Sequence, residues 1–494
     1  MRPALPLLPA VLSALCGACG MPANAPAPGA QIALEDCRLR GAAGLTSIAA
    51  QCGRLSVPEN PAKPDGRRID LHVARVPALS LDPPDDALTV LAGGPGQAAT
   101  EFYADFAGAF EAVRRRRDIL LVDQRGTGRS NALECPAQTA LEAQYLTPEA
   151  IRAATADCLA RLDGDPRFYT TSVAVADLEQ VRAALGYTTL NLYGISYGTR
   201  VAQHYLRRFP AHTRTVILDG VVPMDLALGP DISLDAQAAI DNLFARCTAE
   251  PDCARHFPDL GAAFDEIRAL LEREPVPVSL PHPVTAMPLE TAFSAQDLAI
   301  GVRLLSYSSE TISLLPLLLH HAFHERDYAP LAAQVLVISE KLAQSLSYGM
   351  HNAVVCTEDV PFYEPGRIDR AALEATYLGA AQLDSLVAIC GLWPAGVIDD
   401  DFKTPVVSDK PTLLLSGAAD PVTPPVNAER VQRHLDNALA VVAAGQGHGV
   451  AAAGCIPRLM GRLIEQGSIA GIDTACVDDI QPAPFFTGFT GPAP

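Results

Sequence analysis

Short apolar runs alternate with amphipathic segments along the first part of the chain. Residues 54–58 and 69–76 alternate apolar and polar positions on either side of a turn-rich stretch, which predicts an antiparallel hairpin. Further strand-like runs follow at 87–91, 119–122, 188–193 and 215–218. Apolar residues recur at helical spacing within the segments between these runs, as in 101–113 and 175–185. Strands that alternate with helices predict an α/β protein with a mainly parallel central sheet covered on both faces.

The alternation stops near Met224 and resumes with a buried strand at 412–415. The residues between have mostly helical patterns, with proline-rich breaks at 275–283 and 361–365, and they predict a large helical cap inserted between two strands. A helix at 425–435, a strand at 438–442 and a helix at 457–465 follow. We therefore divide the chain into a first core part (37–223), a cap (224–404), a second core part (405–480) and a tail (481–494).

Net charge narrows the range of partners. The 494 residues include 37 Lys and Arg against 56 Asp and Glu, a net charge of −19. An acidic surface argues against nucleic acid and against anionic membranes as partners. The apolar run at 312–319 is too short to span a bilayer and contains Pro316. We expect a monomer without a transmembrane span in the mature chain.

The first residues have the pattern of an export signal. Arg2 precedes an apolar stretch at 4–19 that is too short for a lasting membrane helix, and Pro3, Pro6 and Pro9 break it. Residues 1–20 are predicted to be a signal peptide, and 21–36 a flexible tether rich in Pro and Ala. Lipidation at Cys19 is left open. The expected location is secreted or periplasmic, with a lipid-anchored envelope protein as the alternative.

Cysteine content supports export. Twelve cysteines fall to ten once Cys16 and Cys19 leave with the signal. An even number without a CxxC pair favours structural disulfides in an oxidising compartment over zinc. Sequence does not fix the connectivity, and pairing of neighbours is the simplest expectation: Cys37 with Cys52, Cys135 with Cys158, Cys247 with Cys253, Cys356 with Cys390, and Cys455 with Cys476.

A G-x-S-x-G pattern lies at the centre of the predicted sheet. The strand at 188–193 leads into Gly194-Ile195-Ser196-Tyr197-Gly198, and a helix-like run follows at 199–209. Strand, tight turn and helix is the context of a nucleophile elbow, in which a serine stands at the apex of the turn. The flanking glycines fit a turn in which backbone segments approach closely. We predict that Ser196 is a nucleophile.

A serine nucleophile needs a base, and the base needs an orienting acid. His448 lies in a glycine-rich loop beyond the last predicted strand, where it could reach Ser196. Asp420 and Asp219 both follow strand ends and are rival candidates for the acid. Asp420 is preferred because it lies in its own loop, close in sequence to His448.

Two backbone N–H groups are needed to bind the oxyanion. One should come from the residue after the nucleophile, Tyr197, and the other from the loop 93–96, GGPG. Pro95 has no N–H, so Gly94 is the expected second donor.

Metal chemistry is the competing hypothesis. His320, His321 and His324 with Glu325 lie on one predicted cap helix, where His320 and His324 are four residues apart. The order is not H-E-x-x-H and no further ligand is evident, so a solvated helix face is the better interpretation. No metal and no other cofactor is predicted.

These motifs in combination resemble a known family. GGPG (93–96), DQRGTGRS (123–130), GISYG (194–198), GAADPVTPP (417–425) and GHG (447–449) are similar to motifs of the proline iminopeptidase and tripeptidyl aminopeptidase family. The resemblance implies an α/β-hydrolase fold and exopeptidase activity. It also implies the triad Ser196, Asp420 and His448, an oxyanion site at Gly94 and Tyr197, and a floor formed by 123–126.

Two positions separate the chain from one branch of that family. Short proline iminopeptidases have histidine before GGPG and tryptophan after the serine, where this chain has Ala92 and Tyr197. The chain is therefore more similar to the longer, secreted, tripeptidyl-like group.

The resulting hypothesis is an exported serine aminopeptidase that acts on peptides. An ester hydrolase with the same triad and a non-catalytic binding protein on the same fold are the alternatives. An aminopeptidase must recognise a charged amino terminus, and Glu358 and Asp359, next to Cys356, are the predicted acidic partners. The alternative for these two residues is a solvated acidic loop.

Overall fold

The computed structural model describes residues 31–42, 44–135 and 147–492. The predicted signal at 1–20 and most of the predicted tether lie outside these residues. The end of the tether at 31–36 does not behave as a tether, because Ile32 is buried in the core and a strand begins at Glu35.

A nine-stranded sheet forms the centre of the protein, in the order β1-β2-β3-β5-β4-β6-β7-β10-β11. Its strands are β1 (Glu35–Arg40), β2 (Ser47–Pro58), β3 (Arg68–Val76), β4 (Asp86–Leu91), β5 (Asp118–Val122), β6 (Thr189–Ile195), β7 (Thr213–Asp219), β10 (Thr412–Gly417) and β11 (Ala438–Ala443). Strands β1, β2, β3 and β5 pair antiparallel in turn, and the pairs from β5 to β11 are parallel. The predicted α/β class and mainly parallel sheet are confirmed.

Helices cover both faces of this sheet. They are α1 (Ala99–Phe106), α2 (Glu111–Arg114), α3 (Pro148–Arg161), α4 (Thr171–Leu185), α5 (Tyr197–Arg208), α16 (Pro425–Gln432) and α17 (Ile456–Gln466). Leu192 and Tyr193, adjacent on β6, belong to different apolar clusters, as side chains on opposite faces of a strand must. Apolar residues of α4, α5 and α16 pack in one cluster, and those of α1, α2 and α17 pack in the other.

The segment between β7 and β10 is mainly helical. It contains α6 (Ile232–Ala249), α7 (Pro251–His256), α8 (Leu260–Arg273), α9 (Ala295–Leu305), α10 (Ser309–Ile312), α11 (Leu315–His320), α12 (Ala329–Ser345), α13 (Tyr348–Glu358), α14 (Arg370–Glu374) and α15 (Ala381–Cys390). Many of its buried residues form an apolar cluster of their own. Within the described ranges, no helix is both long and apolar enough to cross a membrane.

One element of this segment differs from the sequence expectation. The proline-rich stretch at 275–283, predicted as a break, contains β8 (Val276–Pro281), which pairs antiparallel with β9 (Pro288–Phe293). Val278 and Leu280 alternate with exposed positions and are buried. In a two-stranded sheet each strand is an edge strand, where proline is tolerated.

The ten cysteines at 37 and beyond form five disulfides between sequence neighbours. The pairs are Cys37–Cys52, Cys135–Cys158, Cys247–Cys253, Cys356–Cys390 and Cys455–Cys476. The Cys356–Cys390 bond joins the end of α13 to the end of α15.

The segment predicted as a tail also packs on the cap. It forms the short strands β12 (Phe486–Gly488) and β13 (Gly491–Pro492). Phe485 is 3% exposed within the apolar cluster of the cap, and the Arg246 guanidinium lies 3.9 Å from its ring centre.

A buried ion pair fixes the DQRG motif to the sheet's helical layer. Arg125 Nε and Nη2 donate to the two carboxylate oxygens of Asp177 on α4, at 2.6 and 2.8 Å, and Nη1 donates to the carbonyls of Glu59 and Phe168. Both charged side chains are buried. Arg125 therefore connects the DQRG motif to α4 and to the backbone at Glu59 and Phe168.

Removing this guanidinium should destabilise the fold. Arg125→Met leaves the Asp177 carboxylate buried without its partner, and we expect the free energy of unfolding to fall by roughly 3–5 kcal/mol. Urea titration followed by circular dichroism measures the loss. Arg370→Gln is the control, because it breaks an exposed pair with Asp384 and should leave the midpoint unchanged. Equal midpoints for both variants would contradict the assignment.

Candidate active site

Ser196 occupies a strained turn between β6 and α5. Its backbone has φ 55° and ψ −125°, a conformation that non-glycine residues rarely adopt and that is concentrated at functional sites. A Cβ on Gly194 would lie 2.2 Å from the carbonyl oxygen of Gly198, and a Cβ on Gly198 would lie 2.1 Å from that of Leu91. Only glycine fits both positions, so the turn has the geometry of a nucleophile elbow.

His448 and Asp420 form a directly bonded pair at the same end of the sheet. Nδ1 of His448 lies 2.9 Å from Oδ2 and 3.1 Å from Oδ1 of Asp420. The carboxylate also accepts the backbone N–H groups of Val422 and Thr423 and the Thr423 hydroxyl. Because Nδ1–H donates to the carboxylate, Nε2 is left as the acceptor that a general base requires.

The electrostatics of this pair favour a basic imidazole. Burial alone would lower the pKa of His448, but the Asp420 charge and hydrogen bond raise it above its ordinary value. Burial would likewise raise the pKa of Asp420, but His448 and the donors from Thr423 hold it below its ordinary value. Asp420 thus stays ionised and holds the imidazole in one orientation.

Asp219, the rival acid, has a different position and different partners. Its carboxylate accepts the N–H groups of Val450 and Ala451 and the Tyr193 hydroxyl, each at 2.9 Å. Its backbone carbonyl accepts the N–H of Ser196 at 2.9 Å. Asp219 therefore fixes both the loop after His448 and the elbow.

The end of β7 brings the histidine beside the elbow. A Cβ on Gly220 would lie 3.0 Å from Cε1 of His448, and one on Gly449 would lie 2.7 Å from the Ile195 side chain. Because β6 and β7 are adjacent parallel strands, Ser196 and His448 both lie at the carboxyl edge of the sheet.

The loop at 93–96 lies against the nucleophile. A Cβ on Gly93 would be 3.2 Å from Cβ of Ser196, and Gly94 has φ +106°, which suits glycine. The cap holds this loop, since Ser347 N–H donates to the Gly96 carbonyl and His351 Nδ1 lies 3.2 Å from the Pro95 carbonyl. The loop thus lies beside Ser196, and the role of Gly94 as the second oxyanion donor stays a prediction.

Tyr197 begins α5 directly after the nucleophile. Its side chain is buried, and its hydroxyl bonds to Gln124 Nε2 at 2.9 Å and to the Thr171 hydroxyl at 2.6 Å. The DQRG segment therefore supports the residue whose backbone N–H is the expected first oxyanion donor.

Glu358 and Asp359 are completely buried at the end of α13. Asp359 forms a two-bond ion pair with Arg200 at 2.9 and 3.1 Å. Glu358 accepts the N–H and hydroxyl of Thr171 at 2.7 and 2.9 Å, and its nearest Arg200 nitrogen is 3.9 Å away. A solvated acidic loop is thus excluded, while recognition of an amine by these residues stays a prediction.

The pKa values of the two acids in this cluster shift in opposite directions. Burial raises the pKa of Glu358 to about 7. Burial also opposes ionisation of Asp359, but Arg200 and Lys403 hold the pKa of that carboxyl below its ordinary value. Arg200 and Lys403 balance the two acids, and neither cation was anticipated because nothing in the sequence pairs residue 200 with residue 359.

Tyr307 is a site residue that the sequence did not reveal. Its carbonyl accepts the N–H of His448 at 2.8 Å, and its ring meets the imidazole edge-on, with centres 5.2 Å apart. It lies just after α9 of the cap, more than a hundred residues from any motif, so no local signal marks it.

The histidine-rich cap segment contains no metal centre in the described part of the chain. His320 and His324 have ring centres 4.5 Å apart, and His321 bonds to Glu325. No group of three or more His, Cys, Asp and Glu side chains among the described residues could hold an ion.

Comparison with known proteins agrees with this geometry. Residues 86–264 match the family model for the alpha/beta hydrolase fold, and residues 375–476 match the model for TAP-like proteins. The chain belongs to the α/β-hydrolase family. The predicted family and fold are thereby confirmed.

The curated relatives of this α/β hydrolase include peptidases. The chain is 25% identical over 416 residues to serine protease Hip1 of Mycobacterium tuberculosis (strain ATCC 25618 / H37Rv), covering 76% of this chain and 77% of that one. It is 29% identical over 251 residues to tripeptidyl aminopeptidase of Streptomyces lividans, covering 46% and 47%. It is 30% identical over 145 residues to proline iminopeptidase of Xylella fastidiosa (strain 9a5c), covering 28% and 34%. These similarities support a peptidase-like hydrolase.

Substitution of each candidate acid by asparagine distinguishes their roles. Asp420→Asn should lower kcat about 10⁴-fold, the loss seen in comparable triads, because the imidazole loses its orientation and charge partner. The acid limb of the kcat/KM profile, which a raised His448 pKa places above pH 6.5, should move to lower pH. Asp219→Asn should affect kcat far less and chiefly lower thermal stability. The reverse ranking would transfer the acid's role to Asp219.

Proposed function

We propose that the protein is an exported serine aminopeptidase that removes N-terminal residues or short peptides through an acyl-enzyme on Ser196. The observation that carries the proposal is the His448–Asp420 pair beside the strained elbow. Peptidases among the relatives support the substrate class, and five disulfides support an oxidising compartment.

In the proposed reaction, Ser196 Oγ attacks the scissile carbonyl carbon while its proton passes to Nε2 of His448. Backbone N–H groups of Gly94 and Tyr197 hydrogen-bond the oxygen that becomes negative. His448 then gives the proton to the leaving nitrogen as the C–N bond breaks. Water, deprotonated by His448, attacks the acyl-enzyme, which releases the carboxylic acid and restores the serine.

A substrate panel tests this activity against the ester-hydrolase alternative. The wild type should cleave free-amino peptidyl anilides faster than N-acetylated anilides and faster than simple aryl esters, compared by kcat/KM. Ser196→Ala should lose about 10⁶-fold in kcat while retaining its melting temperature, because only the nucleophile is removed. Ester turnover without anilide turnover would favour the carboxylesterase. Activity of Ser196→Ala within tenfold of wild type would end the serine mechanism.

We propose that Glu358 binds the amino group of the substrate. Glu358 is less engaged by Arg200 than Asp359 is, and through Thr171 it connects to the hydroxyl of Tyr197, the residue that follows the nucleophile. A carboxylate with a pKa of about 7 gains charge as pH rises, and an α-amine loses its charge near pH 8. Preference for a free amine should therefore peak between these values.

Glu358→Gln tests the role of this carboxylate. We expect kcat/KM for free-amino anilides to fall about 30-fold or more, because a desolvated charge pair loses one partner. An N-acetylated ester, which has no amine, should be cleaved at nearly the wild-type rate. Asp359→Asn is the matched control and should mainly lower stability, since its partner is Arg200. Equal losses on both substrates would assign Glu358 a structural role.

A further inference from the structure

Helices of the cap border a cavity of about 470 Å³, which Pro148 and Ile151 of α3 also line. Residues of α9, α13 and α15 line it, among them Arg303, His351 and Gln382. Its volume falls within the roughly 300–1,000 Å³ typical of ligand sites. Most of its other lining residues are apolar, such as Ile300, Leu304 and Leu386.

Two of the lining residues contact residues next to the proposed reaction centre. His351 lies 3.2 Å from the carbonyl of Pro95, in the expected oxyanion loop. Arg303 approaches the hydroxyl of Tyr307 at 3.5 Å, and Tyr307 in turn packs against His448 and accepts its N–H. A peptide bound with its scissile bond at Ser196 could therefore extend into this cavity.

Arg303 is a cation without a counter-ion. Nη1 donates to Gln382 Oε1 at 2.8 Å, while Nε is buried and has no hydrogen-bond partner. No carboxylate in the described ranges forms an ion pair with it. Asp384, which also lines the cavity, is engaged by Arg370 on the outer side. Burial lowers the pKa of His351, which keeps that imidazole neutral near pH 7.

A partly buried, unpaired guanidinium beside an apolar cavity is costly unless a ligand supplies the missing charge. A carboxylate is the group whose planar geometry best matches the guanidinium donors. We propose that Arg303 binds a carboxylate of the substrate within this cavity, and so selects acidic ligands. This inference rests on the proposed peptidase function.

Two parts of a peptide can supply that carboxylate. One is the free carboxyl terminus of a short peptide, and the other is an Asp or Glu side chain. Tetra-alanine with a free or an amidated carboxyl terminus distinguishes the first source. Amidated tetra-alanines in which Glu or Gln replaces each alanine in turn distinguish the second.

Arg303→Met, which keeps length and apolar bulk, is the informative variant. For the carboxylate-bearing member of the preferred pair, kcat/KM should fall about 30-fold or more, and the neutral member should change less than threefold. Labelling of Ser196 by a fluorophosphonate should proceed at nearly the wild-type rate, which shows that Tyr307 and His448 keep their positions. Arg273→Met, an exposed cation of the same cap, is the matched control and should change neither substrate.

The outcomes separate this inference from the proposed function. Equal losses on charged and neutral substrates, or none on either, would overturn the carboxylate role of Arg303. If the wild type cleaves none of the peptides, the peptidase proposal fails. A pair of aryl esters, para-nitrophenyl hydrogen succinate and para-nitrophenyl butyrate, then decides the inference, since only the first has a carboxylate that Arg303→Met should penalise.

Discussion

The site depends on one aspartate that is not itself expected to take part in the reaction. Asp219 ends β7, and it binds the elbow through its backbone carbonyl and the histidine loop through its carboxylate. Ser196 and Val450 are far apart in the chain, yet each donates its N–H to the same residue. Burial raises the pKa of Asp219, while the amides and the Tyr193 hydroxyl act in the opposite direction. The relative position of the proposed nucleophile, Ser196, and the proposed base, His448, thus depends on hydrogen bonds to a central strand.

The cap also supports the proposed reaction centre at the edge of the sheet. It bonds the loop at 93–96 through Ser347 and His351, and it bonds His448 through the carbonyl of Tyr307. Both flanks of the reaction centre therefore rest partly on helices inserted between β7 and β10. A change in cap packing would reach the chemistry through these contacts as well as through the cavity, since a shift of about 1 Å at a site can cost about 100-fold in rate.

Sequence patterns predicted the features that depend on short stretches of the chain. The elbow was predictable because glycine is the only residue that fits positions 194 and 198, and the sheet because apolar runs repeat between helical segments. The choice between Asp219 and Asp420 was harder, since both follow strand ends, and hydrogen bonds to other loops distinguish them. β1 was missed because its pattern is largely polar on an edge strand, and β8 because prolines mask its alternation.

Pairings between the cap and the core were not predictable. Arg200 and Asp359, or Tyr307 and His448, meet only after the cap has folded onto the core. The burial of Glu358 and Asp359 was unpredictable for the same reason. In the sequence they look like an exposed acidic stretch of an acidic protein, yet both are buried. Their surroundings come from segments that lie elsewhere in the chain.

The packing of Phe485 makes the core of the cap depend on a segment that follows the sheet in the chain. The cap is inserted between two strands of the sheet. The Phe485 ring, which packs in the cap core and against Arg246, comes from a segment beyond the last strand of the sheet. Because Phe485 follows both the cap helices and the sheet in the chain, the cap core lacks one of its rings until that segment is in place. The sheet has a similar dependence, because β7 pairs with β10 across the whole insertion. Neither the cap nor the sheet can therefore be completed by the residues that precede it, and both depend on segments that follow the cap in the chain.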